Sequence, residues 1–384
     1  MVLKTTANGT ELDLSRIAPE PTEWDDRAYR LMITETLTPE QIRRVATPAR
    51  VEPRQEEVLA IHWHPEWIPM DVIMQRVRAM YPNMRSQLII PTQHNVLMEH
   101  DGLAGVEIDC FAAPFNRKVQ LLAHFSAARV QRADALRAML SHTFKYRASQ
   151  LWEYIDSILE PAYEERVERA AAQTGADADL VRFCRLHVAR LKALILRHER
   201  VTPPDMFKNK LVRNYFHALR ELYDEHLIGH AQVFLRAVKE IVKAHFSLTY
   251  FYRVPEIIEE VRGLGGGVVI PHPEQFWPIL LADYDVDGIE VWNPQSREFT
   301  EFLIQVVSKQ NKTRPAGRRP LLITMGDDTH FGEKVLNPAY QEKEKAGREL
   351  GLQPAWDELG IRKRLSAAST DRGRVIEEYR ARLL

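Results

Sequence analysis

The stretch Val58-Leu59-Ala60-Ile61-His62-Trp63-His64 places two histidines at the end of a short apolar run. An apolar run of this length, rich in branched side chains, predicts a buried strand. Alternate residues of a strand point to the same face, so His62 and His64 are directed towards one point. Imidazole nitrogens bind zinc and other transition metals. The stretch therefore predicts a strand that carries part of a metal site.

A second stretch, far downstream, repeats this arrangement with different ligand types. The apolar run at 321–325 is followed by Gly326-Asp327-Asp328-Thr329-His330. On a continued strand Asp328 and His330 share a face, which brings a carboxylate next to an imidazole. Two such pairs, each placed after a buried strand, predict opposite sides of one metal site.

Seven apolar segments have the length and composition of buried strands, at residues 58–62, 87–90, 105–111, 118–124, 267–272, 288–293 and 321–325. Amphipathic helical patterns lie between several of them, for example at 69–80, and this alternation predicts an α/β fold with a parallel sheet. Five of the seven segments end in, or shortly before, a histidine. Parallel α/β folds carry their chemistry at the carboxyl ends of the strands, so we expect these histidines to meet.

The predicted strands fall into two groups, separated by a long segment of helical patterns. We expect five parts: an N-terminal leader at 1–54, the first part of the α/β core at 55–126, a helical insertion at 127–250, the second part of the core at 251–335 and a helical tail at 336–384. Within the leader, Thr38 followed by Pro39 and Gln41 predicts the start of a helix.

The composition is that of an ordinary globular protein. Of the 384 residues, 45% are hydrophobic and 27% are charged, and the formal net charge is −1. This balance excludes a global electrostatic attraction to nucleic acid or anionic membrane. Two cysteines, Cys110 and Cys184, argue against a disulfide scaffold and favour a reducing cytoplasm. No uncharged apolar run reaches the roughly 18 residues of a membrane span, so we expect a cytoplasmic protein without a membrane partner.

The order of the histidines and acids resembles that of the polymerase-and-histidinol-phosphatase (PHP) family of metal-dependent phosphoesterases. The motifs that carry the resemblance are His62-x-His64, Thr92-Gln93-His94-Asn95, Gly105-Val106-Glu107-Ile108 and residues 265–273, 288–293 and 326–332. They cover residues 55–124 and 254–335. The resemblance implies a distorted seven-stranded (βα) barrel of PHP type, here with a large all-helical insertion. It also implies two or three divalent metal ions, zinc, manganese or iron, with activated water that attacks a phosphate mono- or diester.

The resemblance implies eight metal ligands, which are His62, His64, His94, Glu107, His124, His272, Asp328 and His330. It places a first metal among His62, His64, Glu107 and Asp328. It makes Glu107 a bridge to a second metal, held also by His124 and His272. It assigns His94 and His330 to a third metal or to the leaving group, and it gives catalytic roles to His94, Asp328 and His330. Glu290 and Asp327 are interpreted as acids that support the ligands.

The family usually carries acids at two positions that are Ala60 and Gln93 in this chain. It also usually has an acid in the loop after the two histidines, here residues 65–69, and Asp71 is the residue that could supply that missing carboxylate. Two alternatives therefore remain open beside the phosphoesterase. One is a degenerate barrel that acts as a scaffold or complex subunit, and the other is an amidohydrolase that cleaves a C–N bond. The expected substrate is a phosphorylated small molecule or a nucleic acid. A homo-oligomer, or a protein partner bound through the helical insertion, is also left open.

Overall fold

A computed structural model describes Leu14, residues 17–336 and residues 341–384, so parts of the predicted leader and tail lie outside the described residues. The chain divides into two compact units. One is helical and combines the described residues up to Thr36 with Lys145–Ser247. The other is a mixed α/β unit and combines Leu37–Phe144 with Leu248–Leu384. The predicted leader is thus divided between the two units, and the helical unit begins later than the predicted insertion.

The described residues form ten strands, all in the α/β unit: β1 (Glu57–Ala60), β2 (Trp63–His64), β3 (Ser86–Ile89), β4 (Met98–His100), β5 (Leu103–Ala112), β6 (Arg117–Ser126), β7 (Gly267–Ile270), β8 (Gly288–Trp292), β9 (Leu322–Met325) and β10 (Thr329–His330). All seven predicted strand segments are confirmed. The strands that the sequence did not predict, β2, β4 and β10, are only two or three residues long.

The described residues also form fifteen α-helices, which are α1 (Glu23–Ile33), α2 (Pro39–Ala46), α3 (Met70–Met80), α4 (Asp134–Phe144), α5 (Tyr146–Leu159), α6 (Glu164–Thr174), α7 (Ala178–Arg197), α8 (Lys210–Ala218), α9 (Glu225–His245), α10 (Val254–Gly263), α11 (Thr300–Thr313), α12 (Phe331–Val335), α13 (Lys343–Ala346), α14 (Leu359–Ala367) and α15 (Arg372–Leu383). None of these helices is both long and apolar enough to cross a membrane.

The strands form three sheets and do not close into one barrel. A six-stranded sheet has the order β4-β5-β6-β7-β8-β9, and two parallel pairs, β1 with β3 and β2 with β10, lie outside it. Within the large sheet the pairs β4–β5, β5–β6 and β6–β7 are antiparallel, whereas the pairs β7–β8 and β8–β9 are parallel. The α/β class is therefore confirmed, and the prediction of an all-parallel sheet is wrong.

The antiparallel part follows from the short connection between β5 and β6. Only residues 113–116 join these strands, and Asn116 closes the turn in the left-handed region with φ 49°. A parallel pair needs a crossover of about a dozen residues or more, so this loop permits only a hairpin. As a result Glu107 lies in the middle of β5, opposite Leu122, and not at a strand end.

Backbone hydrogen bonds bring the separate sheets together near the histidines. The Asp328 amide donates to the carbonyl of His62 at 2.9 Å, and β2 pairs His64 with His330. The chain after β3 forms a parallel bridge in which the Asn95 amide donates to the carbonyl of Glu107 at 2.7 Å. These contacts place parts of four distant sequence segments side by side.

The C-terminal helices belong to the core of the α/β unit. Side chains of α14 and α15, including Ile361, Leu365, Ile376 and Tyr379, are buried in the same apolar cluster as strands β5 to β9. Burial of one such side chain contributes about 1.5–3 kcal/mol. The described part of the predicted tail is therefore a structural layer of the α/β unit.

Helix starts follow the capping rules. The Thr38 hydroxyl accepts a hydrogen bond from the Gln41 amide at 3.2 Å, and the Gln41 side chain accepts from the Thr38 amide at 2.8 Å, which confirms the predicted start of α2. In the helical unit, Asp177 caps α7 by accepting from the Leu180 amide at 2.8 Å. Local sequence thus determines these helix boundaries.

Candidate metal centre

The structure brings seven of the eight predicted ligands into one buried cluster of the α/β unit. Three groups have ligand atoms within 4.8 Å of one another, and they are His64 with His94 and His330, His62 with Glu107 and His272, and His62 with His64 and Asp328. The third group shares His64 with the first group and His62 with the second, so the three groups form one continuous centre. We call this set of seven residues the metal cluster.

Glu107 lies at the middle of the metal cluster and divides its two oxygens between different histidines. Oε1 is 3.4 Å from Nε2 of His272 and 3.8 Å from Nε2 of His62. Oε2 is 2.6 Å from Nδ1 of His94 and 3.4 Å from Nε2 of His64. The carboxylate therefore faces two separate pairs of imidazoles, one pair with each oxygen.

Asp328 presents one carboxylate oxygen to the metal cluster. Its Oδ1 lies 3.7 Å from Nε2 of His62, 3.4 Å from Nε2 of His64 and 3.3 Å from Nε2 of His330. Its Oδ2 accepts a hydrogen bond from Arg348 at 2.6 Å. The arrangement directs a single oxygen of Asp328 to the point where three imidazoles converge.

His64 is held between two other imidazole rings. Its ring stacks on that of His94 and on that of His330, with centroids 4.3 Å apart in both cases. His62 and His64 are fully buried, whereas the side chains of His94 and His330 are about one-fifth exposed, at 24% and 20%. Access from solvent is therefore on the side of His94 and His330.

The unpaired nitrogens of the metal cluster fit a metal ion. Nε2 of His62 and both ring nitrogens of His64 are buried and have no hydrogen-bond partner among the described residues. Leaving a buried polar atom unpaired costs about 1–3 kcal/mol, so such atoms usually have a function or a bound group. Imidazole with carboxylate is the donor set that suits zinc, iron or manganese. The residues present therefore fit a divalent transition metal.

Glu290 supports His62 from behind, as the sequence interpretation had it. Its Oε2 is 2.6 Å from Nδ1 of His62, and its Oε1 accepts from the His272 amide at 3.0 Å and from the Asn293 side chain at 3.2 Å. A carboxylate on one imidazole nitrogen fixes the ring and leaves the other nitrogen for a metal. Glu290 therefore orients two of the ligand residues at once.

Four residues at or beside the metal cluster adopt left-handed backbone conformations, although none is a glycine. Their φ angles are 54° at Glu66, 53° at Asn95, 28° at His272 and 46° at Asp328. Conformations of this kind cost of order 1–3 kcal/mol and persist where the surrounding structure imposes them. Their concentration here marks the cluster as a site whose geometry is held against local preference.

The charges of the metal cluster shift the pKa values of its members in opposite directions. Burial alone would lower the pKa of His62, but Glu290, Asp328 and Glu107 raise it to about 10. Burial and the neighbouring histidines lower the pKa of His64 to about 3. Burial would raise the pKa of Glu107, yet the surrounding histidines, His94 first, hold it well below its usual range. The Glu107 carboxylate is thus ionised and depends on nearby positive charge.

His124 is not part of the metal cluster, which corrects its predicted role as a ligand. Its Nδ1 is 2.7 Å from the hydroxyl of Tyr379, and its Nε2 is 2.9 Å from the carbonyl oxygen of Ile61. Both nitrogens are thus already hydrogen-bonded. Because β6 runs antiparallel to β7, its end meets the beginning of β7, where His124 pairs with Gly267. The histidine therefore lies at the opposite end of β7 from His272.

Two residues near the metal cluster were missed in the sequence. Oε1 of Glu66 lies 3.7 Å from Nδ1 of His330. Asp71, which the sequence analysis offered as a replacement acid, is instead exposed on α3. Arg348 reaches Asp328 from a segment outside the recognised motifs. Glu66 directly follows Pro65 in the loop after the two histidines, so its position in that loop was the available signal. No local pattern indicated Arg348.

No family model matches the chain, and no curated protein matches it. Among solved structures, the chain is similar to a candidate metal-dependent phosphoesterase from Bifidobacterium adolescentis, with 18% identity, coverage of 82% of this chain and 97% of that chain, and a TM-score of 0.38. We draw no conclusion about this chain from a likeness of this size.

Proposed function

We propose that the protein is a metal-dependent hydrolase of phosphate esters that works through a centre of two or three divalent metal ions. The division of the Glu107 oxygens between two ligand pairs is the observation that carries the proposal. Oε1 with His62 and His272 would hold one ion, and Oε2 with His64 and His94 would hold another. Asp328 and His330 complete the set on the side of His64.

In this proposal the strands around the metal cluster correspond to a distorted seven-stranded barrel of PHP type. The bridge between His94 and Glu107 and the hydrogen bond from Asp328 to His62 support it, because they connect the two parallel pairs to the large sheet. Ligands in β2, β5 and β10 and in the segments after β1, β3, β7 and β9 would then converge in one region of the barrel.

Divalent metal ions in such a site supply a hydroxide nucleophile near neutral pH and neutralise charge on the phosphoryl group. The chain's own residues would position the substrate. The partly exposed His94 and His330 line the open side, so an ester would approach between them. His330 lies between Asp328 and Glu66 and could hold a proton for the departing oxygen. Catalysis would rest on position and electrostatics, without a covalent enzyme intermediate.

We propose phosphate esters as substrates, and not compounds with a C–N bond to be cleaved, because the motifs resemble those of PHP enzymes. An amidohydrolase would be expected to use a carboxylated lysine or an additional aspartate as the bridge. Here Glu107, a glutamate, would be the bridge, since each of its oxygens faces a different pair of histidines. Small phosphomonoesters and nucleic-acid diesters are both candidate substrates.

Metal content per chain tests the proposal directly. We expect two or three equivalents of zinc, manganese or iron by plasma mass spectrometry, and less than one in His62→Ala/His64→Ala. The matched control is His226→Ala/His230→Ala, which removes two histidines of α9, outside the metal cluster, whose rings are 6.4 Å apart. The control should keep its metal and its activity on p-nitrophenyl phosphate or bis-p-nitrophenyl phosphate.

Two results would decide against the proposal. A protein that binds no metal after purification without chelator, and still none after addition of manganese, zinc or iron, would be a degenerate scaffold. A protein that holds its metals but cleaves amide or imide bonds, and neither phosphate ester, would be an amidohydrolase.

A further inference from the structure

Arg348 lies against the metal cluster although it comes from outside the recognised motifs. It follows α13, and 5% of the residue is exposed. The same Nη1 donates to Oδ2 of Asp328 at 2.6 Å and to the main-chain carbonyl of Asp328 at 2.9 Å. One guanidinium nitrogen thus holds both the side chain and the backbone of a predicted metal ligand.

This double contact determines which oxygen Asp328 can offer. With Oδ2 occupied by Arg348, only Oδ1 faces the imidazoles of His62, His64 and His330. Asp328 also has a left-handed backbone, with φ 46°, which a residue with a Cβ adopts only when its surroundings impose it. Arg348 supplies such a constraint at the carbonyl and at the carboxylate together.

Arg348 is itself held in place by buried contacts on both sides. The Lys334 ammonium donates to the carbonyl of Ala346 at 2.9 Å and also to the carbonyl of Arg348. The next residue, Glu349, accepts from Nε of Arg76 at 2.7 Å. A further hydrogen bond runs from the Tyr81 hydroxyl to the carbonyl of Leu350 at 2.8 Å. A segment held by hydrogen bonds at four of the five residues from 346 to 350 has little freedom to move Arg348 away from Asp328.

We propose that Arg348 is a positioning residue, which fixes Asp328 so that it binds a metal ion through Oδ1 alone. The inference rests on the proposed function, since it requires a metal at the cluster. Charged hydrogen bonds of this kind are about twice as strong as neutral ones, and loss of a partner that orients a ligand typically weakens metal binding 10- to 100-fold. In this arrangement Glu107 would be the carboxylate left to bridge two ions.

The test compares Arg348→Ala and Arg348→Lys with a matched control. Arg372→Ala removes another buried arginine of the same unit, whose Nη2 pairs with Asp357 at 3.2 Å, and neither residue belongs to the metal cluster. The probe is cobalt(II) added to metal-free protein, followed by its visible absorption. We expect Arg348→Ala to bind one of the cobalt equivalents about 10- to 100-fold more weakly than wild type. Arg348→Lys should recover part of this loss, because an ammonium retains the charge without the planar fork.

A second readout needs neither metal nor activity. Hydrogen exchange of metal-free protein should be faster in residues 326–330 of Arg348→Ala, because the carbonyl and carboxylate of Asp328 lose their partner and the bond from the Asp328 amide to the His62 carbonyl can open more often. Exchange in that segment should be unchanged in Arg372→Ala.

The inference is overturned if Arg348→Ala binds every cobalt equivalent as tightly as wild type, or if Arg372→Ala weakens cobalt binding equally. Arg348→Ala could bind cobalt more weakly than wild type while wild type cleaves neither phosphate ester. That outcome would support the positioning role of Arg348 and reject only the proposed function. A wild-type chain that binds no cobalt would overturn both.

Discussion

At the scale of the residue, Gly326 shows how closely the support of the metal cluster is packed. A Cβ at this position would collide with Oε2 of Glu290 and would lie 2.8 Å from Nδ1 of His62. These two atoms form the 2.6 Å contact that orients His62. Only glycine therefore leaves room for the carboxylate behind the histidine, although Gly326 itself is no ligand.

We expect Gly326→Ala to displace Glu290 and to weaken metal binding about 10- to 100-fold, as loss of an orienting carboxylate does. Isothermal titration with zinc or manganese measures the change. Gly229→Ala in α9 is the control, since a Cβ there meets no atom within 4 Å and alanine favours a helix by about 1 kcal/mol. Equal metal affinities of wild type and Gly326→Ala would contradict the prediction.

At the scale of the element, helix α7 carries a histidine that links stability to pH. His187 is buried against the rings of Phe183, Phe216 and Tyr223, and its nitrogens have no hydrogen-bond partner within the part of the chain that the structure describes. Burial, with a smaller effect from Arg190, lowers its pKa from 6.5 to about 3. Between these two values the unfolded chain binds a proton that the folded helix excludes.

The contribution of neutral, buried His187 to the free energy of unfolding is therefore fully present above pH 6.5. It is lost as the pH falls towards 3, by about 1.4 kcal/mol per pH unit. We expect His187→Leu to remove this dependence. Between pH 7.5 and pH 5.0 the free energy of unfolding of wild type should fall by about 2 kcal/mol more than that of His187→Leu. Urea unfolding followed by circular dichroism measures it. The exposed His226→Leu is the control, and a pH-independent difference for His187→Leu would show that the prediction is wrong.

At the scale of the whole molecule, each compact unit contains one free, buried cysteine. The rate at which each thiol is labelled therefore reports on the opening of its own unit. Cys110 lies on β5 of the α/β unit, and Cys184 lies on α7 of the helical unit. Burial raises the pKa of both thiols, so labelling requires local opening. All residues of the metal cluster belong to the α/β unit. Metal binding should therefore stabilise the surroundings of Cys110.

Removal of the metal with a chelator should accelerate labelling of Cys110 and leave Cys184 unchanged. Metal at one hundred times its Kd stabilises the folded state by about 2.7 kcal/mol, so Cys110 should react up to ~100-fold faster after chelation. Peptide mass spectrometry after timed alkylation resolves the two thiols. An equal acceleration at both cysteines, or none at Cys110, would contradict the prediction.

Local sequence patterns were enough to predict the strand segments, the start of α2 and the histidine and acid pairs of the metal cluster. These features are local. An apolar run predicts β1 or β9 without reference to the rest of the chain, and Thr38 with Gln41 forms a cap within four residues. The pairs His62 with His64 and Asp328 with His330 were visible because alternation along a strand is also local.

Tertiary structure alone decided the strand directions and the partners that come from distant segments. The hairpin of β5 and β6 placed His124 against Tyr379, 255 residues away, and removed it from the metal cluster. Arg348 reached Asp328 across residues that carry no motif. The physical reason is that packing and long-range hydrogen bonds select such partners. Local periodicity reports only on neighbours within a turn of helix or along one strand.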